Sequence, residues 1–231
     1  MFDISPAEWT AILLSLRVAV VATLVATPFG IALAWLLARR EFWGKSILDA
    51  AVHLPLVLPP VVTGYLLLLT FGRRGLVGAW LADHLGIVFA FRWTGAALAC
   101  GIMSFPLLVR PIRLSIEAID RRLEQASSTL GAAPWQVFVT VTLPLALPGV
   151  LAGMVLGFAK AIGEFGATIT FVSNIPGETQ TISSAIYSLI QTPDGDAAAG
   201  RLVLISIVIA MSALIASEWF ARRATKRLHG N

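Results

Sequence analysis

Residues 145–172 read L-A-L-P-G-V-L-A-G-M-V-L-G-F-A-K-A-I-G-E-F-G-A-T-I-T-F-V, an apolar run long enough to cross a membrane as a helix. Its only charged side chains are those of Lys160 and Glu164, four residues apart. A charged side chain inside a bilayer is costly, so both residues must face protein or water and need polar partners. The stretch therefore predicts a helix that packs inside a membrane bundle.

Three glycines, Gly149, Gly153 and Gly157, are spaced four residues apart in this stretch. On one continuous helix, at about 100° per residue, they share about a third of the circumference with the charged pair and with Thr168. The alternative is that Gly163 and Gly166 interrupt the helix, so that this shared face is lost. A stripe of glycines lets a second helix approach closely, so the glycine face is predicted to pack against protein. Two interpretations of the charged pair stay open: a structural ion pair that fixes helix register, or an element of a gate or transport pathway.

The composition of the whole chain is typical of a membrane protein. Of its 231 residues, 57% are hydrophobic and only 13% are charged, and the mean hydropathy is +0.83. Soluble domains carry about 25% charged residues. Five apolar segments are predicted to span the membrane, with six as the alternative count; they lie at about 11–38, 50–71, 93–110, 145–172 and 201–220. The predicted fold is an all-α polytopic bundle that forms one domain over residues 1–231.

Two shorter apolar segments, residues 78–91 and 181–192, contain polar side chains and are predicted to be interfacial or re-entrant rather than spanning. The second span contains Pro55, Pro59 and Pro60, and each proline removes a backbone donor. This span is predicted to be either a bent helix that packs against its neighbours or a broken helix that lines a pathway.

Basic side chains are distributed unevenly between the two sets of connections. One set contains Arg39, Arg40, Lys45, Arg110, Arg113, Arg121, Arg122, Arg222, Arg223, Lys226 and Arg227. The other set contains Arg73, Arg74, Arg92 and Arg201. Cytoplasmic loops of membrane proteins are enriched in lysine and arginine, so the N-terminus is predicted outside and the C-terminus in the cytoplasm. The same loops explain the excess of 17 basic over 13 acidic residues, and no nucleic-acid partner is predicted.

The cytoplasmic connection at about residues 112–144 is predicted to project a helical hairpin. The apolar residues that recur in it at helical spacing are Ile116, Ile119, Leu123 and Leu130. This spacing predicts one amphipathic helix. Gly131 is suited to end that helix, and Pro134 to begin a second, short one.

The sequence contains no motif for nucleotide or metal chemistry. Gly44-Lys45-Ser46 lacks the earlier glycine of a phosphate-binding loop, because Arg39 occupies that position. The three histidines are scattered, and a single cysteine cannot form an internal disulfide. No catalytic residue, metal site or cofactor is predicted, so the energy for any transport must come from a partner or a gradient.

Polar side chains follow the charged pair, with hydroxyls at Thr168, Thr170 and Ser173 and an amide at Asn174. Neutral donors suit a strongly hydrated oxyanion, because they replace part of its water shell without holding it too tightly to leave. The alternative is that the hydroxyls bond back to carbonyls of their own helix.

The run Q-A-S-S-T-L-G at residues 125–131, followed after nine residues by V-T-L-P, resembles the EAA loop of ABC-transporter permease subunits. Gln125 takes the place of the usual glutamate, and Glu124 stands one position earlier. The resemblance implies that this loop docks as a coupling helix into a groove of a partner ATPase. The residues that it implies for docking are Glu124, Gln125, Ala126, Leu130, Gly131, Ala132, Pro134 and Trp135.

The run G-E-F-G-A-T-I-T-F-V-S-N-I-P-G-E-T-Q-T-I-S-S-A-I-Y, residues 163–187, resembles the molybdate-transport permease family of ABC importers, and the similarity extends along the chain. The resemblance implies an importer-permease fold of the molybdate and maltose type. It also implies a homodimer in the cytoplasmic membrane, surrounded by lipid, with two ATPase subunits and a periplasmic protein that delivers molybdate and also tungstate.

Three other functions stay open from the sequence. The chain could be a permease for sulfate or another oxyanion, although sulfate permeases have a related but different run at this position. It could be a self-contained channel or gradient-driven transporter that uses Lys160 and Glu164 directly, or, as a more distant alternative, a membrane enzyme.

Overall fold

The computed structural model describes residues 4–229, with side chains up to residue 216. Within these residues the chain forms helices joined by turns, without a strand. The helices are α1 (Pro6–Arg39), α2 (Lys45–Val57), α3 (Pro60–Phe71), α4 (Leu76–Leu85), α5 (Trp93–Glu117), α6 (Arg121–Thr129), α7 (Pro134–Val137), α8 (Leu143–Ile162), α9 (Gly166–Val172), α10 (Ile182–Leu189) and α11 (Asp196–His229), with a π-helical turn (Phe138–Thr142) between α7 and α8. The predicted all-α fold is confirmed.

Four helical runs are long and apolar enough to cross a membrane: α1, α5, the run Pro134–Ile162, and the Asp196–Ala216 part of α11. Helices α2 and α3 together form a fifth candidate span that is bent by 114°. The prediction of about five spans is therefore confirmed by length and composition. Helices α4 and α10 have 10 and 8 residues, which is too short to span, since a crossing needs about 20.

The bend between α2 and α3 follows from two prolines. Helix α2 ends at Val57, and Pro59 and Pro60 lack the N–H groups that would continue it, so Pro60 begins a new helix instead. Of the two forms predicted for this span, the structure has the broken helix. Beyond the bend, Gly64 lies so close to α9 that an added Cβ would stand 2.5 Å from the carbonyl oxygen of Ala167.

Helix α5 is the central helix of the bundle, with α1 and α8 packed against it. Its buried side chains enter two apolar clusters, one that includes Ala96 and Met103 and one that includes Leu108 and Ile112. Lipid tails are as apolar as these side chains, so close packing rather than exclusion of water holds the helices together.

The fourth predicted span is not one continuous helix. Helix α8 ends at Ile162, Gly163 to Phe165 form a break, and α9 begins at Gly166. Glycine has a low helix propensity, and Gly166 packs against Pro60 at the neighbouring bend, where an added Cβ would stand 2.7 Å from the proline Cβ. The prediction that the charged pair and Thr168 share one face of a single helix is wrong, because the helical phase is lost at this break.

The prediction that Ile116, Ile119, Leu123 and Leu130 lie on a single amphipathic helix is also wrong. Helix α5 runs on to Glu117, and a new helix, α6, begins at Arg121. The carboxylate of Asp120 caps α6 by accepting a hydrogen bond from the amide two residues further on, at 2.9 Å. Ile119 is buried with the core, whereas Leu123 on α6 is half exposed.

The second short helix of the hairpin begins at Pro134 as predicted but does not end before the membrane span. It passes through the π turn into α8, so residues 134–162 form one helical run. A π turn accommodates one extra residue, which lets Val137 and Thr142 face the protein interior although they are five positions apart. The hairpin is therefore continuous with a membrane span.

Candidate coupling hairpin and translocation site

The tip of the hairpin formed by α6 and α7 is an exposed apolar surface. Gly131 at the turn has φ +90°, a left-handed conformation that glycine adopts without strain. The side chains of Leu130 and Trp135 on either side are 89% and 67% exposed. Large apolar side chains at an exposed helical tip are typical of a surface that inserts into a partner's groove. Of the residues predicted to dock, Gln125, Ala126, Leu130, Gly131, Pro134 and Trp135 are exposed and Ala132 is half-buried.

Glu124, the remaining residue of the predicted docking set, lies at the base of the hairpin and not at its tip. Its Oε2 lies 3.1 Å from Nε of Arg39, at the end of α1. Its Oε1 accepts a hydrogen bond of 2.6 Å from the hydroxyl of Thr142 in the π turn. The side chain of Glu124 is 17% exposed and Thr142 is 1% exposed, so the carboxylate is largely occupied by partners from its own chain.

Lys160 and Glu164 form an ion pair within the chain. Nζ of Lys160 donates to Oε2 of Glu164 at 2.6 Å, and Oε1 of the same carboxylate accepts from the amide of Ala167 at 3.1 Å. The carboxylate therefore satisfies a free N–H at the start of α9, where a negative charge is also favoured by the helix dipole. The two side chains differ in exposure: that of Glu164 is 1% exposed and that of Lys160 is 30% exposed.

The polar residues after the charged pair bond mainly within their own segment. The hydroxyls of Thr168 and Thr170 donate to carbonyls three and four residues earlier, at 2.9 and 2.8 Å. Ser173 is exposed and has φ +65°, an uncommon conformation for a residue other than glycine. Asn174 donates to the hydroxyl of Ser188 at 2.7 Å, while its Oδ1 is buried without a partner.

The glycine stripe of α8 faces α5 of the same chain. An added Cβ would stand 2.5 Å from the carbonyl oxygen of Leu108 at Gly153, and 2.7 Å from that of Pro111 at Gly149. At Gly157 the nearest atoms would be 3.6 Å away, an ordinary contact. The first two glycines therefore set the distance between the two helices, and the third does not.

A cleft of about 640 Å³ opens between α1, α2 and α5. Its lining is apolar apart from Thr94 and the indole of Trp93. An anion that entered this cleft would lose its hydration without gaining hydrogen-bond donors, which is costly. The cleft does not suit an ion pathway.

Ion pairs lie at both ends of the bundle, and two of them join residues that are far apart in sequence. At the end opposite the hairpin, Arg201 donates to the carboxylate of Glu8 at 3.0 Å, across 193 positions. At the hairpin end, Arg39 reaches Glu124 across 85 positions. At that end too, the exposed Glu41 accepts from Lys45 at 2.6 Å, and this hydrogen bond lowers the pKa of the Glu41 carboxyl. Among the described residues, no group of three or more potential ligands could hold a metal ion.

Comparison with known proteins identifies relatives along almost the whole chain. Residues 26–226 match the family described as binding-protein-dependent transport system inner membrane component. The chain is 61% identical to the molybdenum transport system permease protein ModB of Escherichia coli, over 95% of this chain and 96% of that protein. It is 57% identical to the protein of the same name from Haemophilus influenzae, over 96% of each chain.

A solved structure has the same fold. The chain superposes with a TM-score of 0.75 on a chain from a bacterial alginate ABC transporter in complex with an alginate-bound periplasmic protein, covering 96% of this chain and 81% of that one. The two sequences are only 20% identical, so this likeness concerns the fold. The importer-permease fold that the sequence resemblance implied is confirmed.

Proposed function

The chain belongs to the family of binding-protein-dependent transport system inner membrane components, and on that premise we propose that it is the membrane subunit of an ATP-driven molybdate importer. Identity of 61% and 57% to two molybdenum transport permeases, over nearly the full length of each, is the observation that carries the proposal. Tungstate, which has the same charge and shape, is proposed as a second substrate.

The chain is a multi-pass permease subunit of the inner membrane, and ATP hydrolysis is the task of a separate ATPase. We propose two copies of that ATPase, one on the hairpin of each permease subunit. Residues 112–144 then form a coupling loop within a single permease domain over residues 1–231. The exposed Leu130 and Trp135, on either side of the Gly131 turn, would enter the groove of the ATPase. A periplasmic molybdate-binding protein would dock at the opposite end.

The transport pathway is proposed to lie between two copies of the chain. The wide cleft between α1, α2 and α5 is apolar and cannot carry a dianion. Two permease subunits facing each other would instead bring polar side chains from both chains to one axis. A homodimer is therefore the proposed assembly.

Within this pathway we propose that Lys160 contacts the oxyanion and that Glu164 orients the side chain of Lys160. The side chain of Lys160 is partly exposed while that of Glu164 is covered, so Lys160 is the member of the pair that an ion in transit can reach. Ser173, which is exposed, and the half-buried Asn174 are the proposed neutral donors beyond it. Thr168 and Thr170 complete the proposed set of pathway residues. Each hydroxyl now donates to a carbonyl of its own segment and would have to release that hydrogen bond to donate to the ion.

The proposed orientation has the N-terminus outside and the C-terminus in the cytoplasm. Arg39 and Arg113 lie at the hairpin end of the bundle, and Arg201 lies at the other end beside Glu8. This separation supports a cytoplasmic hairpin by the positive-inside rule. The four basic residues after position 221 lie outside the side chains that the structure describes.

The test is ATP hydrolysis and import by the permease reconstituted with its ATPase and its binding protein. We expect molybdate-loaded and tungstate-loaded binding protein to stimulate hydrolysis and to be followed by import of the ion, and sulfate to give neither. Stimulation by sulfate alone would identify a sulfate permease. Import of molybdate by the permease without its ATPase would show a channel or gradient-driven transporter and would refute the proposal.

A further inference from the structure

Helix α6, which carries half of the hairpin, is attached to the rest of the chain by two links that are not helical. Residues 118–120 separate it from α5, and residues 130–133 separate it from α7. A force applied to the hairpin could therefore turn α6 about these links without moving the membrane helices. Contacts other than the covalent chain must hold α6 if it is to move with the bundle.

The strongest such contacts meet at Glu124. Its carboxylate contacts Arg39 at the end of α1, at 3.1 Å, and Thr142 in the π turn directly before α8, at 2.6 Å. Arg39 also donates through Nη2 to the carbonyl of Ile119, at 3.2 Å, so the same guanidinium holds the link in front of α6. Three separate pieces of the fold are thus joined at one carboxylate.

The burial of this cluster makes its contacts persistent. The side chain of Arg39 is 9% exposed, that of Glu124 is 17% exposed, and Thr142 is 1% exposed. Loss of the carboxylate would leave a largely buried guanidinium without a counter-charge, beside Arg40 and Arg121 in the same cleft. By contrast, the pair formed by Glu41 and Lys45 has a carboxylate that is 87% exposed and contributes little.

The π turn gives the cluster its geometry. Val137 and Thr142 both face inward because the turn accommodates one extra residue between them. If the same residues continued as a regular α-helix, at about 100° per residue, the side chain at position 142 would be rotated by about 100° away from α6. The turn thus brings a buried hydroxyl of the span within 2.6 Å of the hairpin.

We propose that Glu124 is a positioning residue that fixes α6, the half of the coupling hairpin that is not continuous with a span, to α1 through Arg39 and to the π turn before α8 through Thr142. Helix α7 is already continuous with a membrane span. Through Glu124, a force that the docked ATPase applies to α6 is also passed to α1 and to that span, instead of turning α6 about its links. The inference rests on the proposed coupling role of the hairpin. It gives Glu124 a role inside the permease that differs from contact with the ATPase.

The test measures molybdate imported per ATP hydrolysed by the complete transporter in proteoliposomes. A merely structural defect lowers both rates together and leaves this ratio unchanged. We expect Glu124→Gln to lower the ratio by about tenfold, because a buried ion pair is broken. Thr142→Val has nearly the same shape and should lower it by about fivefold, the value of one hydrogen bond. Glu41→Gln and Lys45→Gln, matched controls at the same end, should stay within about twofold of the unchanged protein.

A double variant distinguishes joint action from separate effects. If Arg39 and Glu124 act as one unit, Arg39→Gln combined with Glu124→Gln should lower the ratio no further than the worse single variant. An unchanged ratio in Glu124→Gln and Thr142→Val overturns the proposal, as does a fall in hydrolysis and import at a constant ratio. If the Glu124→Gln permease does not assemble with its partners, the import-to-hydrolysis ratio of Thr142→Val alone decides whether the proposal holds. Failure of the unchanged transporter to import molybdate would instead refute the proposed function.

Discussion

At the scale of single residues, Lys160 and Glu164 are partners with different surroundings. Glu164 is covered and also caps α9 through the amide of Ala167, whereas the side chain of Lys160 is partly exposed. Removal of the Glu164 charge should therefore lower the stability of the permease, whereas removal of the Lys160 charge should lower transport. The two effects can be measured separately.

We expect Glu164→Gln to lower the free energy of unfolding by about 2 kcal/mol, since it leaves a partly screened cation without its partner. The double variant Lys160→Met with Glu164→Gln should return to within about 1 kcal/mol of the original stability, because no isolated charge remains. Its molybdate import should nevertheless fall by about tenfold if Lys160 contacts the ion, given the worth of a charged hydrogen bond. Thermal unfolding in detergent and import in proteoliposomes are the measurements. Normal import by the double variant would show that the pair only fixes the structure.

The spacing of these two residues predicted that they could pair, and the pair forms, but for a different reason. The prediction assumed one continuous helix, whereas Glu164 lies in a break after Gly163. The carboxylate reaches Lys160 while it caps the next helix. Periodicity alone could not predict this, although Gly163 and Gly166 favour an interruption of the helix. The contact of Gly166 with Pro60, which is distant in sequence, has no sequence signal.

At the scale of elements, the packing of α8 on α5 depends on two of the three glycines in the stripe. We expect Gly153→Ala to destabilise the permease by about 1–3 kcal/mol, since the new methyl group would overlap the backbone of α5. Gly157→Ala, one turn further along, should be tolerated because its nearest neighbours would be 3.6 Å away. Thermal unfolding of both variants in detergent makes the comparison. Equal stability of the two would contradict the assigned helix contact.

Sequence patterns predicted the presence of the membrane helices better than their ends. Apolar length identified all five candidate spans, including the one that the prolines divide. The predicted limits of the hairpin were wrong because Ile116, on α5, and Ile119, just after it, are buried in the core and do not belong to an amphipathic surface helix. The inward position of Glu124 could not be predicted either, since its partner Arg39 is 85 positions away.

At the scale of the whole molecule, the orientation in the membrane can be tested with single cysteines. Cys100 is buried and can be replaced by alanine, after which Trp43→Cys and Leu76→Cys place thiols at positions that are 98% and 92% exposed at opposite ends of the bundle. We expect a membrane-impermeant thiol reagent to label position 76 in spheroplasts and position 43 in inverted vesicles. The reverse pattern would place the hairpin outside and exclude its contact with a cytoplasmic ATPase.

The bend between α2 and α3 also constrains how the chain is made. Helices of 13 and 12 residues extend about 20 and 18 Å, and neither alone crosses a hydrocarbon core of about 30 Å. Helix α3 packs on α9, which is synthesised roughly a hundred residues later. The second membrane segment to leave the ribosome therefore cannot reach its final position until α9 has been inserted, about three quarters of the way along the chain.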